Sequence, residues 1–423
     1  MGDTTDSFTY LETPDDAQWS QNAFQYAVQV WLPSVFRDVE ILDATLASSA
    51  STQATIERIV QGCLANRMHM FSLLAASTAF QKYVLRLQNY RHDTPEYCMG
   101  KALQYLRHHL ASNPEVDELL IFDLETLAAF ERYVGNFQGA RTHLVMVQHL
   151  VRSLGDLGRL QPSMRPLCWL WDLAVAGGLG EPPLLPLLWD HGSLPGEQMV
   201  GAILPDLSRA GIAPSGSALL RYTNIVHPVL SDIIVDTVQW FHVQQHHHVH
   251  NYARSPTQSW ASRQVYTLVH RLLSWSADPA DASHQEILYH AIAESIKQAL
   301  LVVISDIERA PNGNARTDAV SMSDPTMFSW SNIGRLRAQL LPIYNNQTWT
   351  EQDEEIVLWM VCLGVQHATD AQDRDWFGSF AARLTRRRDI TRDDMIQLMA
   401  RYLHRCESTG RPDIDGLQTA LAQ

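Results

Sequence analysis

Three regularly spaced histidines come closest in this chain to a pattern that could do chemistry. His242, His246 and His250 lie at i, i+4 and i+8 in the stretch FHVQQHHHVH, so a helix would align them along one side. Imidazoles one helical turn apart can bind a divalent metal such as zinc. The stretch has no HExxH pattern and no acidic residue to complete a closed site, and the apolar stripe of the same segment runs along another face. We therefore expect a solvated helix face here rather than a metal site.

A single carboxylate, Glu131, is the second candidate. At about 100° per residue it points between Leu124 and Val134, on the apolar side of a predicted helix. A buried carboxylate without a partner is costly or becomes protonated, so Glu131 needs a partner, and Arg141 and His143 lie just across a predicted turn. A structural ion pair or hydrogen bond is favoured over a catalytic role, because no second acid lies nearby and structural pairs also perturb pKa values.

The element that must position these residues is a predicted helical hairpin over Glu118 to Leu154. Apolar residues recur at helical spacing on both sides of the turn: Leu120, Leu124, Leu127 and Val134 before it, and Ala140, Leu144, Val147, Val151 and Leu154 after it. Gly135 stands where a helix needs a residue that tolerates positive φ at its C-terminal end. A connection this short makes the two helices antiparallel neighbours.

Signatures of catalysis are absent elsewhere in the sequence. There is no G-x-S-x-G nucleophile motif, no P-loop and no GxGxxG fingerprint. The acidic run Asp353, Glu354 and Glu355 opens a predicted helix, where carboxylates are favourable near the N-terminus. We expect no enzymatic activity, no catalytic residue and no cofactor.

The composition predicts a soluble intracellular protein. The net charge of −14 opposes direct binding of nucleic acid, since phosphate neutralisation by basic residues supplies most non-specific affinity. The five cysteines are scattered and form no CxxC pair, which is typical of reduced thiols in a cytosolic or nuclear protein. The acidic N-terminus lacks the order of a signal peptide, and no apolar run approaches the ~20 residues of a membrane span.

The organisation predicted from the sequence is an all-α, irregular multi-helix fold built from antiparallel helical hairpins. We expect a partly disordered N-terminal arm over residues 1–50, a helical domain over 51–405 and a tail over 406–423. Glycine and proline cluster in a connection at about 177–217, and a polar, glycine-containing stretch at about 310–324 indicates a mobile loop. Strand-like alternation and clean repeats are both absent.

Two further stretches have simple structural explanations. Ile356–Val365 is apolar on every side, which predicts a helix buried all round. The run Arg386, Arg387 and Arg388 follows a predicted helix. It reads either as part of a nuclear import signal or as ordinary positive charge at a helix C-terminus.

Several stretches, taken in order, resemble the fungal-specific transcription factor domain. FERYVGNFQGARTHLVMVQHLVRSLGDLGRL, residues 130–160, resembles its helix-turn-helix stretch. The matching positions are Glu131, Gly135, Ala140, His143, Leu144, Leu150, Val151, Gly155 and Leu157, with Asp156 in place of a second glycine. FSLLAASTAF (71–80) and YCMGKALQYLRHHLA (97–111) resemble early helices of that domain, and CWLWDLAVA (168–176) and the segment 358–384 resemble later ones.

This resemblance implies a helical regulatory domain that restrains or transmits activation and sometimes responds to small molecules. Members of the family usually carry an N-terminal zinc cluster of six cysteines that reads DNA, and no C-x2-C-x6-C pattern is present here. The chain is then either a fragment without its DNA-binding part or a regulator that acts through partners. Six closely spaced cysteines encoded upstream of Met1 would distinguish the two.

The function expected from the resemblance is transcription regulation through protein contacts, with a small-molecule effector as a further option. The expected partners are the transcription machinery or a DNA-binding regulator, with a homodimer as another option, and neither nucleic acid nor membrane is bound directly. The expected location is the nucleus, or nucleus and cytoplasm. Genes of secondary metabolism are a target class by resemblance only. The alternative is a helical scaffold unconnected with transcription, and an enzyme is a weaker third option.

Overall fold

The computed structural model confirms the all-α class. It describes residues 14–42, 49–87, 94–112, 116–190, 192, 194, 216–224, 226–250, 256–276, 284–309, 332–345 and 350–403. Of these, 84% are helical and none is in a strand. The chain forms two compact units, of which the first holds residues up to Leu179 together with Pro183–Leu188 and Thr317–Met327, and the second holds the remainder.

Among its described residues, the first unit contains eight α-helices. They are α1 (Pro14–Tyr26), α2 (Leu32–Leu42), α3 (Ser49–Ala65), α4 (Arg67–Ala79), α5 (Thr94–Ala111), α6 (Glu118–Tyr133), α7 (Phe137–Leu154) and α8 (Met164–Leu179). Two π-helical segments interrupt this series: Ala27–Trp31 joins α1 to α2, and Phe80–Val84 extends α4. Residues 14–42, the described part of the stretch expected to be a partly disordered arm over residues 1–50, contribute helices and buried residues such as Trp31 and Phe36 to this unit.

The predicted hairpin forms helices α6 and α7. Asp117 caps α6 by accepting a hydrogen bond of 2.8 Å from the Leu120 amide. Gly135 then turns the chain at φ +85°, as the sequence predicts. Asn136 caps α7 by accepting a hydrogen bond of 3.1 Å from the Gly139 amide. Two local caps and one glycine thus define the hairpin.

Helix α6 is almost completely buried within the first unit. It packs against α4, α7 and α8, and every side chain from Leu120 to Phe130 is buried. Because neighbours cover α6 on several sides, its polar side chains are buried along with its apolar ones.

The second unit contains the other α-helices of the described residues. They are α9 (Pro228–His250), α10 (Pro256–Ser274), α11 (His284–Arg309), α12 (Ile333–Asn345), α13 (Glu351–His367), α14 (Ala371–Arg388) and α15 (Arg392–Arg401). A short 3-10 helix, Leu219–Asn224, packs against α9.

Helix α13 is buried all round, as its sequence predicts. Residues 356–363 are all at most 2% exposed. Thr350 and Asp353 form a capping box at its start, which confirms that the acidic run opens a helix. Arg387 and Arg388 lie in the last turn of α14, and the Arg387 side chain is 3.2 Å from a Glu354 oxygen. This arrangement supports the reading of the arginine run as helix-terminal charge.

Some sequence predictions lie outside the described residues. These are the loop at about 310–324, the tail over 406–423 and, beyond residue 194, most of the connection at 177–217. In the described part, the segment Ile287–Ile307 of α11 has the length and apolar composition of a membrane span, and 67% of its most apolar window is buried within the protein. Such burial is common for a core helix, so the segment is weak support for a span.

Candidate functional site

Glu131 has a different partner from the one its position in the sequence predicts. Its carboxylate accepts a hydrogen bond of 2.7 Å from the Asn136 amide nitrogen, and its side chain is half-buried rather than enclosed. The prediction used Val134 to mark the apolar stripe, whereas Val134 follows the last residue of α6 and is 37% exposed. The expected pairing of Glu131 with Arg141 or His143 is therefore corrected to a contact that holds the cap residue of α7.

Arg141 and His143, the two partners expected for Glu131, both lie on helix α7. The Arg141 guanidinium is 3.7 Å from Asp172 on α8, and Asp172 also accepts a hydrogen bond of 2.7 Å from the Leu185 amide. Burial raises the pKa of Asp172 to about 6, against the opposing effects of the amides of Leu185 and Leu184 and of Arg141. Burial also lowers the pKa of His143 to about 4, so this imidazole is neutral at pH 7.

The histidine trio on α9 is not a solvated row along its whole length. His242 is only 8% exposed and packs edge-on against the Phe241 ring, with 6.0 Å between ring centres. The expectation of solvation is thus wrong for His242, because several elements of the second unit cover this part of α9. The side chains of His246 and His250 lie outside the described residues. Within the described part, no group of three His, Cys, Asp or Glu side chains is placed to hold a metal.

A buried histidine–carboxylate pair joins α4 to α6. The Nδ1 atom of His69 lies 2.6 Å from an oxygen of Asp123. Burial lowers the pKa of His69, but the hydrogen bond and charge of Asp123 outweigh it and raise this pKa overall. Burial raises the pKa of Asp123 to about 6, although the hydrogen bond from His69 opposes the rise. His69 and Asp123 together therefore bind a proton more tightly than an isolated histidine and an isolated aspartate would in water.

Glu125 is the most deeply buried acid of α6. Its side chain is 0% exposed, and apart from the contact with the Cys168 thiol neither carboxyl oxygen has a hydrogen-bond partner among the described residues. Burial raises its pKa to about 8, and an interaction with the Cys168 thiol on α8 opposes that rise. At pH 7 Glu125 is therefore a neutral acid that can donate a hydrogen bond.

Arg132 provides a buried cation two turns further along α6. Its guanidinium lies 5.2 Å from the centre of the Trp171 ring and 5.7 Å from that of Tyr133. Burial lowers its pKa to about 10, so it remains charged at pH 7. A buried guanidinium is suited to binding a carboxylate or phosphate.

Two π-helical segments among the described residues of the first unit contact Tyr133. Trp31 donates a hydrogen bond of 3.4 Å to the Tyr133 hydroxyl, and the Phe80 ring centre is 5.4 Å from that of Tyr133. π-Helical turns are rare and often occur at functional sites. The contacts of these two segments with Tyr133 therefore make the end of α6 that carries Arg132 a candidate functional region.

The sequence prediction missed Asp123, Glu125 and Arg132 as buried charged residues. Their signal was present, because four charged residues, these three and Glu131, interrupt an otherwise largely apolar helix in LLIFDLETLAAFERY. The sequence pattern predicted burial of only one face of this helix, whereas neighbouring helices cover it on several sides.

Comparisons with known protein families, with functionally characterised proteins and with solved structures found no match for this chain.

Proposed function

We propose that this chain is a helical regulatory domain of a transcription regulator, similar to that of fungal-specific transcription factors. The observation that supports this best is the arrangement of the resembling segments. Residues 71–80, 97–111, 130–160 and 168–176 lie on helices α4 to α8 and on the short segments that adjoin them, and these helices follow one another in a single unit. Within it α4 packs against α5 and α6, and α7 packs against α6 and α8.

The residues that carry the resemblance have packing and capping roles in this unit. Ala140, Leu144 and Val151 are at most 3% exposed and form the inner face of α7. Gly155 ends α7 at φ +116°, a conformation that suits glycine. Glu131 holds the cap residue of the same helix. Such roles suit a domain that transmits a signal through its packing.

The proposed partners are proteins of the transcription machinery or a DNA-binding regulator. The net charge of −14 makes direct contact with nucleic acid phosphates unfavourable. A nuclear or nucleocytoplasmic location and an effector-dependent activity belong to the same proposal. A homodimer and a role in secondary metabolism remain options within it.

Tethering the chain to DNA tests this proposal. The full chain is fused to a heterologous DNA-binding domain and assayed on a reporter with the matching site, against the DNA-binding domain alone. The proposal predicts a several-fold change in reporter output, in either direction. A folded, nuclear and well-expressed fusion that leaves the reporter unchanged would favour the alternative of a non-transcriptional scaffold.

A further inference from the structure

The surface formed by α4 and α5 is basic, unlike the chain as a whole. Residues 67–87 and 94–112 contain one acidic residue, Glu96, and five basic residues, none of which is buried: Arg67, Lys82, Arg86, Lys101 and Arg107. The whole chain has a net charge of −14, so this surface has the opposite sign. A surface of one sign attracts a partner of the other sign.

The acid of this surface is already bound, whereas part of its positive charge is not. Glu96 accepts a hydrogen bond of 3.0 Å from Lys82 and another from the Tyr83 hydroxyl. Lys101 and Arg107 form no ion pair with the described residues. Lys101 lies over the Tyr97 ring, with its nitrogen 5.6 Å from the ring centre. Helix α5 therefore offers positive charge to the carboxylates of a partner.

A row of aromatic rings adjoins this charge. The Phe71 ring of α4 contacts two tyrosines of α5, with 6.3 Å between its centre and that of Tyr97 and 5.8 Å between its centre and that of Tyr105. Tyr97 is 49% exposed, and Arg67 donates a hydrogen bond of 3.4 Å to the Tyr105 hydroxyl. An exposed aromatic ring beside basic groups offers apolar contact and charge together, which is typical of surfaces that bind protein partners.

Gly100 leaves the middle of the exposed face of α5 open. It lies inside the helix, and a Cβ atom at this position would meet open space. A glycine inside a helix is destabilising relative to alanine, and no neighbour among the described residues requires one here. A partner that approaches the backbone of α5 closely would require it.

We propose that the exposed face of α5 over residues 97–108 binds a short acidic peptide segment of a protein partner. Carboxylates of the segment lie at Lys101 and Arg107, and an apolar side chain packs against the Tyr97 ring beside Gly100. The face is about 16 Å long, which suits a few residues of peptide. Because the chain as a whole is acidic, a longer polyanion such as nucleic acid would be repelled beyond this face.

This inference deepens the proposed function and rests on it for its meaning, because the segment would belong to a partner in transcription. The contact itself depends only on the charge, the aromatic rings and the open glycine of α5.

A panel of short labelled peptides tests the proposal with the purified full chain. Each peptide alternates aspartate with phenylalanine or leucine, and each has a control in which asparagine replaces every aspartate. At least one acidic peptide should bind with a Kd in the micromolar range. Its asparagine control should bind at least about tenfold more weakly, and added salt should weaken the acidic peptide because exposed charges are screened. If no acidic peptide binds at millimolar concentration, or if the controls bind equally well, the proposal is overturned.

Two variants with the same change of charge locate the surface. Lys101→Glu should weaken binding of the acidic peptide at least about tenfold, because it reverses a charge on the proposed face. Arg152→Glu reverses an exposed charge on α7 and should leave the affinity unchanged. Equal affinity in the two variants would overturn the proposal.

Gly100→Gln separates binding from folding. Glutamine favours a helix and should raise the melting temperature by roughly 2–4 °C. Its side chain would occupy the open space on the face of α5, so binding of the acidic peptide should weaken at least about tenfold. A Gly100→Gln chain that binds the peptide as tightly as the wild type would overturn the proposal.

A single-stranded oligonucleotide and a second copy of the chain are the competing occupants. Tighter binding of the oligonucleotide than of every peptide would overturn the proposal in favour of nucleic acid. A dimer in analytical ultracentrifugation that Lys101→Glu dissociates would overturn it in favour of a second copy. Peptide binding by a chain that is inert in the tethered reporter would retain this surface and reject the proposed function, whereas an active reporter without peptide binding would reject this surface alone.

Discussion

Asn136 donates a hydrogen bond of 2.7 Å to Glu131, and the same amide side chain accepts one of 3.1 Å from the Gly139 backbone nitrogen. Glu131 thus orients the residue that caps α7, across the turn at Gly135. The Glu131 carboxylate therefore stabilises the hairpin through Asn136, the cap residue of α7. This explains why a charged residue stands at the end of the buried helix α6.

The first prediction follows from that relationship. Asn136→Ala should lower the free energy of unfolding by about 1 kcal/mol, because it removes the cap of α7. Glu131→Gln should cost less than about 0.5 kcal/mol, because a glutamine oxygen can still accept the Asn136 hydrogen bond and the site is partly solvated. Urea denaturation of both variants measures the two changes in the free energy of unfolding. A cost for Glu131→Gln equal to that of Asn136→Ala would contradict it.

The second prediction concerns the pair of His69 and Asp123. The pKa of His69 is raised in the folded chain by Asp123, and burial raises the pKa of Asp123 to about 6. The folded protein therefore binds more protons than the unfolded chain near neutral pH, and its stability falls as pH rises through this range. Asp123→Asn should weaken this dependence, because it removes the buried acid and also the partner that raises the pKa of His69, as melting temperatures between about pH 6 and pH 8 would reveal. If the slope of melting temperature against pH were the same in the variant and the wild type, this pair could not be the source of the pH dependence.

A third prediction concerns the buried acid Glu125. Its pKa rises from the ordinary value of 4.5 to about 8 on burial. The folded state retains a proton that the unfolded chain has lost, so stability should fall as pH rises between these values and should level off above them. Glu125→Gln removes this proton. Wild-type and variant stabilities should therefore diverge as pH rises towards 8, and parallel curves would exclude a buried neutral acid.

The fourth prediction concerns Asp172. Asp172→Ala should cost about 1–3 kcal/mol, because it leaves the buried Leu185 amide and the Arg141 side chain without this acceptor. Asp156→Ala provides the matched control, since Asp156 is exposed beyond the end of α7, and should cost less than about 0.5 kcal/mol. Chemical denaturation of the two variants in parallel compares them directly.

The hairpin of α6 and α7 could be predicted from the sequence because its causes are local. Apolar spacing, a cap at each helix start and Gly135 all lie within the stretch itself. The partners of its polar groups could not be predicted, because they come from distant segments. His69 reaches Asp123 from 54 residues away, and Cys168 approaches Glu125 from another helix. His242 was misjudged for the same reason, since burial depends on how many elements cover a helix.

The tethered reporter with matched variants tests the central claim, that the folded helical unit regulates transcription. The wild-type fusion and Asp156→Ala should both change reporter output several-fold relative to the DNA-binding domain alone. Asp172→Ala, expressed to the same level, should lose much of that effect, because it weakens the packing of α7 against α8. Wild-type output equal to that of the DNA-binding domain alone, from a folded fusion present in the nucleus, would contradict the account.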